Sequence, residues 1–183
     1  MLFRSLIDGS ESINESQYAL SLNFTRDIVT KVFDKSPESL FSVVVFSSDA
    51  IIIGPTNENA AATNPKLTNT PQPKAGTQTV KGFKTCQATF PKDGRPHVIV
   101  LLTDGDPNGD PTNAIALADA TAAATAAKDD DGTIIVSIGV GSLITTSNLV
   151  TWATNPGFVF TATDFSRLYA IINNIIDQLT CDN

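Results

Sequence analysis

Histidine and cysteine are nearly missing from this chain of 183 residues: His97 is its one imidazole, and Cys86 and Cys181 are its two thiols. A single His and two Cys that form no C-x-x-C pair exclude a His-based metal cluster and a zinc-finger site. Bases are also scarce, with 12 Lys and Arg against 19 Asp and Glu and a net charge of −7. Such a chain lacks the basic footprint that phosphates require, so nucleic acid is excluded as a partner. No apolar run is long enough for a membrane span, and the opening stretch from Met1 to Ile7 is too short for a signal peptide. The expectation is an intracellular protein or a domain belonging to a longer protein. What is present is a globular composition, 42% hydrophobic and 17% charged. The length suits one domain with a full core, so residues 1–183 are read as a single domain.

Hydrophobic periodicity then orders the chain. Leu2 to Ile7 is a short apolar stretch ending at Asp8. Asn14 to about Phe33 turns helical, with Leu22, Val29, Val32 and Phe33 on one face and Asn14 and Gln17 spaced as a capping box. Ser42 to Phe46 and Ala50 to Ile53 flank the tight turn Ser47-Ser48-Asp49 and predict a hairpin. Gly54 to Gly76, rich in Pro, Asn, Thr and Ala, is expected to be a long irregular loop. Thr79 to Phe90 reads as a helix, and His97 to Leu102 as a strand buried on both faces. Asn113 to Lys128 is an Ala-rich helix, Thr133 to Val140 another apolar strand, Ser147 to Ala153 a short helix, and Phe158 to Thr161 a last strand. From Phe165 to Leu179, apolar residues at helical spacing predict one strong terminal helix. This alternation predicts an α/β fold of Rossmann-like, doubly wound type. Its mostly parallel sheet has about six strands, one antiparallel edge strand, and helices on both faces. In such sheets ligands bind beyond the carboxyl ends of the strands, where the strand order reverses.

Three segments fall at those ends. The first strand closes in Asp8-Gly9-Ser10-Glu11-Ser12, the loop before the Thr79 helix carries Thr77, and the His97 strand closes in Thr103-Asp104-Gly105. Carboxylates from Asp8 and Asp104 and hydroxyls from Ser10, Ser12 and Thr77 are hard oxygen ligands of the kind Mg²⁺ selects, with water completing an octahedron. Mn²⁺ and Ca²⁺ accept the same set. Alone, Asp8-Gly9 is a common turn pair; the three segments in order make the metal reading the stronger one. The loop Asp104-Gly-Asp106-Pro-Asn108-Gly-Asp110 imitates half of an EF-hand, but its twelfth position is Ile115 and a strand precedes it, so an EF-hand is rejected. Glu11, Asp106, Asn108 and Asp110 are read instead as a rim around the metal. No base reaches Ser10, because His97 starts the far end of its strand, and Gly139-Val-Gly141-Ser142 lacks the phosphate fingerprint, so no enzyme is expected.

Asp8-x-Ser10-x-Ser12, then Thr77, then Thr103-Asp104-Gly105, resembles the metal-ion-dependent adhesion site of von Willebrand factor type A domains, including integrin I domains. The resemblance covers essentially the whole chain. It implies that Ser10, Ser12 and Thr77 ligate the cation and that Asp8 and Asp104 act mainly through water. A cation so lightly neutralised would be completed by a Glu or Asp of a protein partner. The implied role is adhesion or matrix binding, extracellular or at the cell surface. A structural type A module of a matrix or an intracellular complex, in which the metal only stabilises the rim, is the alternative. Three features depart from the family. Arg4 and Ser5 stand where the first strand is usually apolar, which points to a truncated strand or an artefactual start. Gly54 to Gly76 shows no clear helix. Glu11 replaces a small residue and adds negative charge beside the metal. Cys86 and Cys181 allow either a disulfide tethering the terminal helix or two buried thiols.

Overall fold

The structure, a computed structural model, describes residues 1–108 and 112–180. Six strands, β1 (Leu2–Asp8), β2 (Leu40–Phe46), β3 (Ala50–Glu58), β4 (His97–Gly105), β5 (Ile134–Leu143) and β6 (Val159–Ala162), form one sheet in the order β3-β2-β1-β4-β5-β6. All neighbours pair in parallel except β2 and β3, which form the expected antiparallel hairpin at one edge. The chain winds outward from β1 in one direction and from β4 in the other, so the order reverses between these two central strands. Ile7 pairs with Leu102 in that seam, which brings the ends of both strands, Asp8 and Thr103-Asp104, to the crevice where such sheets bind ligands.

Side-chain alternation along β1 divides the interior into two layers. Phe3 and Ile7 join one apolar cluster with α1 (Glu15–Lys35), α2 (Ala60–Leu67) and α6 (Ile172–Thr180). Leu2 and Leu6 join the other with α3 (Thr79–Ala88), α4 (Asn113–Asp131) and α5 (Thr146–Trp152). Helices therefore cover both faces, as the alternation of elements predicts. The Asn14–Gln17 capping box at the start of α1 is present in both directions, which fixes where the chain leaves the crevice.

β1 is not interrupted at Arg4 and Ser5: it is buried along all seven residues. Arg4 is fully buried on the α3 side and is held there by acceptors. Its guanidinium donates to the Thr89 hydroxyl (2.6 Å), the Thr89 carbonyl (2.8 Å), the Asn57 side chain (2.7 Å) and the Phe3 carbonyl (3.1 Å). It also lies 4.3 Å from the Phe90 ring centre, and Phe90 stacks on His97 at 4.1 Å. A buried cation is tolerated when its donors are met in this way. Here the carbonyl at the C-terminal end of α3 supplies part of the compensation.

Two expectations fail. Gly54–Gly76 is not a plain loop: β3 continues through a bulge, in which Gly54 and Asn57 adopt left-handed backbone angles, as far as Glu58. Asn59 then caps α2 through the Ala62 amide (2.9 Å). Pro65 lies inside that helix and forgoes the hydrogen bond its amide would have made to the Ala61 carbonyl, and the helix stops two residues later at Leu67. Nor is Phe165–Leu179 one helix. Residues Phe165–Ile171 form a 3₁₀ helix, and α6 follows. Phe165, Leu168 and Ile171 recur every third residue, the 3₁₀ period, whereas Ile172, Ile175, Ile176 and Leu179 follow the α-helical one.

Cys86 is a free, fully buried thiol, and burial pushes it up to about 12. Cys181 lies outside the described residues. Cys86 packs in the apolar layer between the sheet and α3. The buried-thiol alternative is the one Cys86 fits.

Candidate metal centre

At the end of β1 the backbone turns sharply enough for Asp8 to fold back on its own loop. Asp8 Oδ1 accepts the Ser10 amide at 2.9 Å, and Oδ2 accepts the Thr103 hydroxyl from β4 at 2.6 Å. Ser10 Oγ and Ser12 Oγ are 3.0 Å apart, and Ser12 Oγ donates to Asp104 Oδ1 at 2.8 Å. Since the Ser12 proton goes to Asp104, Ser10 is the donor between the two serines, which leaves the Ser10 oxygen lone pairs available. A chain of oxygens thus runs from Ser10 through Ser12 to Asp104 across the β1–β4 seam, and Asp8 anchors its start through the Ser10 amide.

Thr77 arrives from the loop before α3 and is gripped by Asn108. Its amide donates to Asn108 Oδ1 at 2.8 Å, and Asn108 Nδ2 donates to Thr77 Oγ1 at 3.3 Å. Ser12 and Thr77 line the same cleft of about 400 Å³, with Asp106 and Asn108 on its wall. The three loops are stitched together by backbone bonds. Gly9 N donates to Phe46 O, Lys74 N to Gly9 O, Glu11 N to Ala75 O, and Asn108 N to Thr77 O. Gly9 is required by this close approach: a Cβ there would stand 2.7 Å from Pro73 Cδ and 2.9 Å from Val45 Cγ1.

The structure thereby brings Asp8, Ser10, Ser12, Thr77 and Asp104 to one crevice. The residues read as an outer rim behave differently. Glu11 is exposed beside the cleft. Asp106 lines the cleft but commits its carboxylate elsewhere: it accepts from the Thr145 amide (3.0 Å), the Thr145 hydroxyl (2.5 Å) and Asn148 Nδ2 (2.8 Å). It thereby ties the start of α5 to the end of β4, at a helix whose N-cap, Thr145, makes no side-chain cap bond. Asn108 is a clamp on Thr77. Asp110 lies outside the described residues. Sequence reasoning missed Gln72, whose side-chain amide nitrogen, Nε2, donates to the Ser10 carbonyl (3.0 Å) and the Ile13 carbonyl (2.6 Å) and so holds the serine loop in place. No local pattern marks a loop glutamine for that task. Thr103 was visible only as part of a motif, and its service to Asp8 depends on strand register.

The electrostatics call for a positive charge. Burial raises the Asp8 carboxyl to about 6 against the opposing pull of its bonds to Thr103 and Ser10, and the nearby Asp104 charge adds to the rise. Burial raises Asp104 as well, partly offset by the Ser12 hydroxyl. Among the described residues no Lys or Arg pairs with either carboxylate. Two neighbouring buried acids without a cationic partner must be neutralised by protons or by a bound cation. The donors are carboxylate and hydroxyl oxygens, with no imidazole or thiolate among them, and no group of three or more His, Cys, Asp and Glu forms a metal cluster among the described residues. This fits a hard divalent cation carrying water on its remaining positions. Ser10, Ser12 and Thr77 would hold it, with Asp8 and Asp104 behind them.

Comparison with known proteins agrees with this architecture. Two structures of proximal thread matrix protein 1 from the mussel byssus superpose with TM-scores of 0.82 and 0.84 at 26% identity over 98% of this chain. The second carries a zinc-occupied MIDAS motif. The chain spans less than half of those proteins, 46% and 45% of their length. The vWF domain of the type V pili tip protein Mfa5 from Porphyromonas gingivalis shares the fold at 15% identity, with a TM-score of 0.83 over 99% of this chain and 95% of that one. The pilus adhesin SpaC from Lactobacillus rhamnosus GG shares it at 16% identity, with a TM-score of 0.81 over 100% of this chain and 31% of that one. Among curated protein sequences none matches significantly. The family model for the von Willebrand factor type A domain matches residues 5–175, and with the fold and the crevice as described, the chain belongs to the von Willebrand factor type A domain family.

Proposed function

We propose that this chain is a non-enzymatic binding module that holds a divalent cation in the β1–β4 crevice and uses it to grip an acidic side chain of a protein partner. The observation that carries the reading is the pair of buried carboxylates, Asp8 and Asp104, linked through the amide of Ser10 and the hydroxyls of Ser10 and Ser12 and lacking a cationic side-chain partner among the described residues. Hydroxyls neutralise a cation less than carboxylates do, so the ion keeps charge for a carboxylate from outside. Mg²⁺ suits the oxygen set best, with Mn²⁺ and Ca²⁺ as alternatives. A non-enzymatic role is supported by His97, which pairs with Leu2 at the opposite end of the seam from Ser10. The mussel thread and pilus relatives favour adhesion or matrix binding at the cell surface or outside the cell, within a longer protein. No helix among the described residues is long and apolar enough to cross a membrane.

The test is solid-phase binding of this chain to a panel of extracellular-matrix proteins, with Mg²⁺, with chelator, and after chemical amidation of the panel's carboxyl groups. Binding is expected in Mg²⁺ alone and is expected to vanish in the other two arms. Binding that survives both chelation and amidation overturns the reading. Similarity to a thread matrix protein supports a second reading, a structural module in which the cation only stiffens the rim. Chelation would then lower the melting temperature without changing any partner affinity.

A further inference from the structure

Beside the crevice the sheet departs from regular pairing in a way that presents one apolar side chain to solvent. Thr103 of β4 pairs with Gly139 of β5, but two residues later Gly105 pairs with Leu143, four residues on. The surplus on β5 is absorbed around Gly141, whose φ of +81° belongs to the left-handed region that glycine tolerates. Leu143 emerges 66% exposed, the most exposed of the large apolar residues, while its neighbour Ile144 is buried. Its backbone is pinned. Asp106 N donates to the Leu143 carbonyl, and the Asp106 carboxylate holds the amide and hydroxyl of Thr145 two residues on. Leu143, Leu117 and Pro107 form the apolar side of the cleft that Ser12 and Thr77 also line. Across the rim, the neighbouring cleft is polar, lined by Glu11, Gln78 and Lys81.

An exposed apolar side chain whose backbone is already pinned has only its own rotamers left to order on binding, so the entropy cost of using it is small. Because the cleft joins Leu143 to Ser12 and Thr77, a partner segment whose carboxylate reaches the cation can set a neighbouring side chain on Leu143 and Leu117. Resting on the proposed function above, we infer that the partner segment carries a Leu, Ile, Met or Phe within a few residues of its metal-binding Asp or Glu, and that Leu143 is the residue that selects it.

The test uses random dodecapeptides displayed on phage, captured in Mg²⁺ on the wild-type chain and on Leu143→Ser, and eluted with chelator. Because Leu143 is exposed, the variant is expected to melt at the wild-type temperature and to keep its cation response. The wild-type pool is expected to combine an acidic residue with an apolar one at a fixed short spacing. The Leu143→Ser pool should keep the acid and lose the apolar partner, and peptides from the wild-type pool should bind the variant about tenfold more weakly. An acidic, chelator-eluted pool without apolar preference, or one whose preference survives Leu143→Ser, overturns this inference and leaves the cation reading standing. If no acidic peptide elutes with chelator, the cation reading falls and this inference falls with it.

Discussion

Asp8 concentrates the cost of building the crevice. Its carboxyl is held at about 6 by burial, above the ordinary value near 4 that it has in the unfolded chain. A group raised in the folded state contributes stability that is fully present below the unfolded value and is lost as pH rises through the folded one. Without cation the protein should therefore lose stability between about pH 4 and pH 7 on account of Asp8. A bound cation favours the ionised form, so the rise in melting temperature caused by Mg²⁺ should grow across the same window. Calorimetric melts at stepped pH, with Mg²⁺ and with chelator, check this; a cation effect that shrinks as pH rises contradicts it. Asp8→Asn removes the buried charge but keeps an acceptor for the Ser10 amide, and the Thr103 hydroxyl can turn to accept from the new amide group. In chelator at pH 7 this variant is expected to be more stable than wild type by about 1–3 kcal/mol and to show no Mg²⁺ response, both readable from denaturant melts. At this scale the sequence was legible where residue type and strand end coincide, as at Asp8, Ser10, Ser12, Thr77 and Asp104. It was illegible where loops claim a side chain, as with Asp106 tying down Thr145 and Asn108 holding Thr77, or where a distant loop supplies Gln72.

Among the elements, β1 depends on one residue that seemed to argue against it. Arg4 connects β1 to the C-terminal end of α3 through Thr89 and to the β3 bulge through Asn57, and burial pulls it down to about 10. Arg4→Ala leaves these acceptors dry and opens a cavity under Phe90, with an expected loss of about 3 kcal/mol or more. Arg4→Met refills most of the volume and should cost less than Arg4→Ala. Urea denaturation of both variants measures the difference, and equal losses would show that the acceptors rather than the volume set the cost. Strands and most helices were legible because hydrophobic periods of two and 3.6 residues differ plainly. The short α2 was not, since Pro65 and its polar neighbours imitate a loop while Asn59 capping and the burial of Ala60, Thr63 and Leu67 favour a helix. The 3₁₀ start of the terminal segment was hidden because a three-residue repeat passes for a helical one over two turns.

For the whole molecule, the order β3-β2-β1-β4-β5-β6 turns three separate sequence segments into one site. The reversal between β1 and β4 opens the crevice, the hairpin edge brings Phe46 against Gly9, and the loop between α2 and α3 closes over Ser10 through Gln72. The doubly wound arrangement was legible because its alternation of buried strands and amphipathic helices admits few other topologies. The partner's chemistry depends on the rim, which is shaped by bulges and loop bonds that no local pattern encodes. The central claim is that the crevice holds a divalent cation, and a thermal melt tests it most directly, run with and without Mg²⁺ on the wild type and on Ser10→Ala combined with Asp104→Ala. At 100 times its dissociation constant a ligand stabilises by ~2.7 kcal/mol, or roughly 5–10 °C for a domain of this size. The account predicts that rise in the wild type and none in the double variant; a wild type indifferent to divalent ions, or a double variant that responds equally, would contradict it.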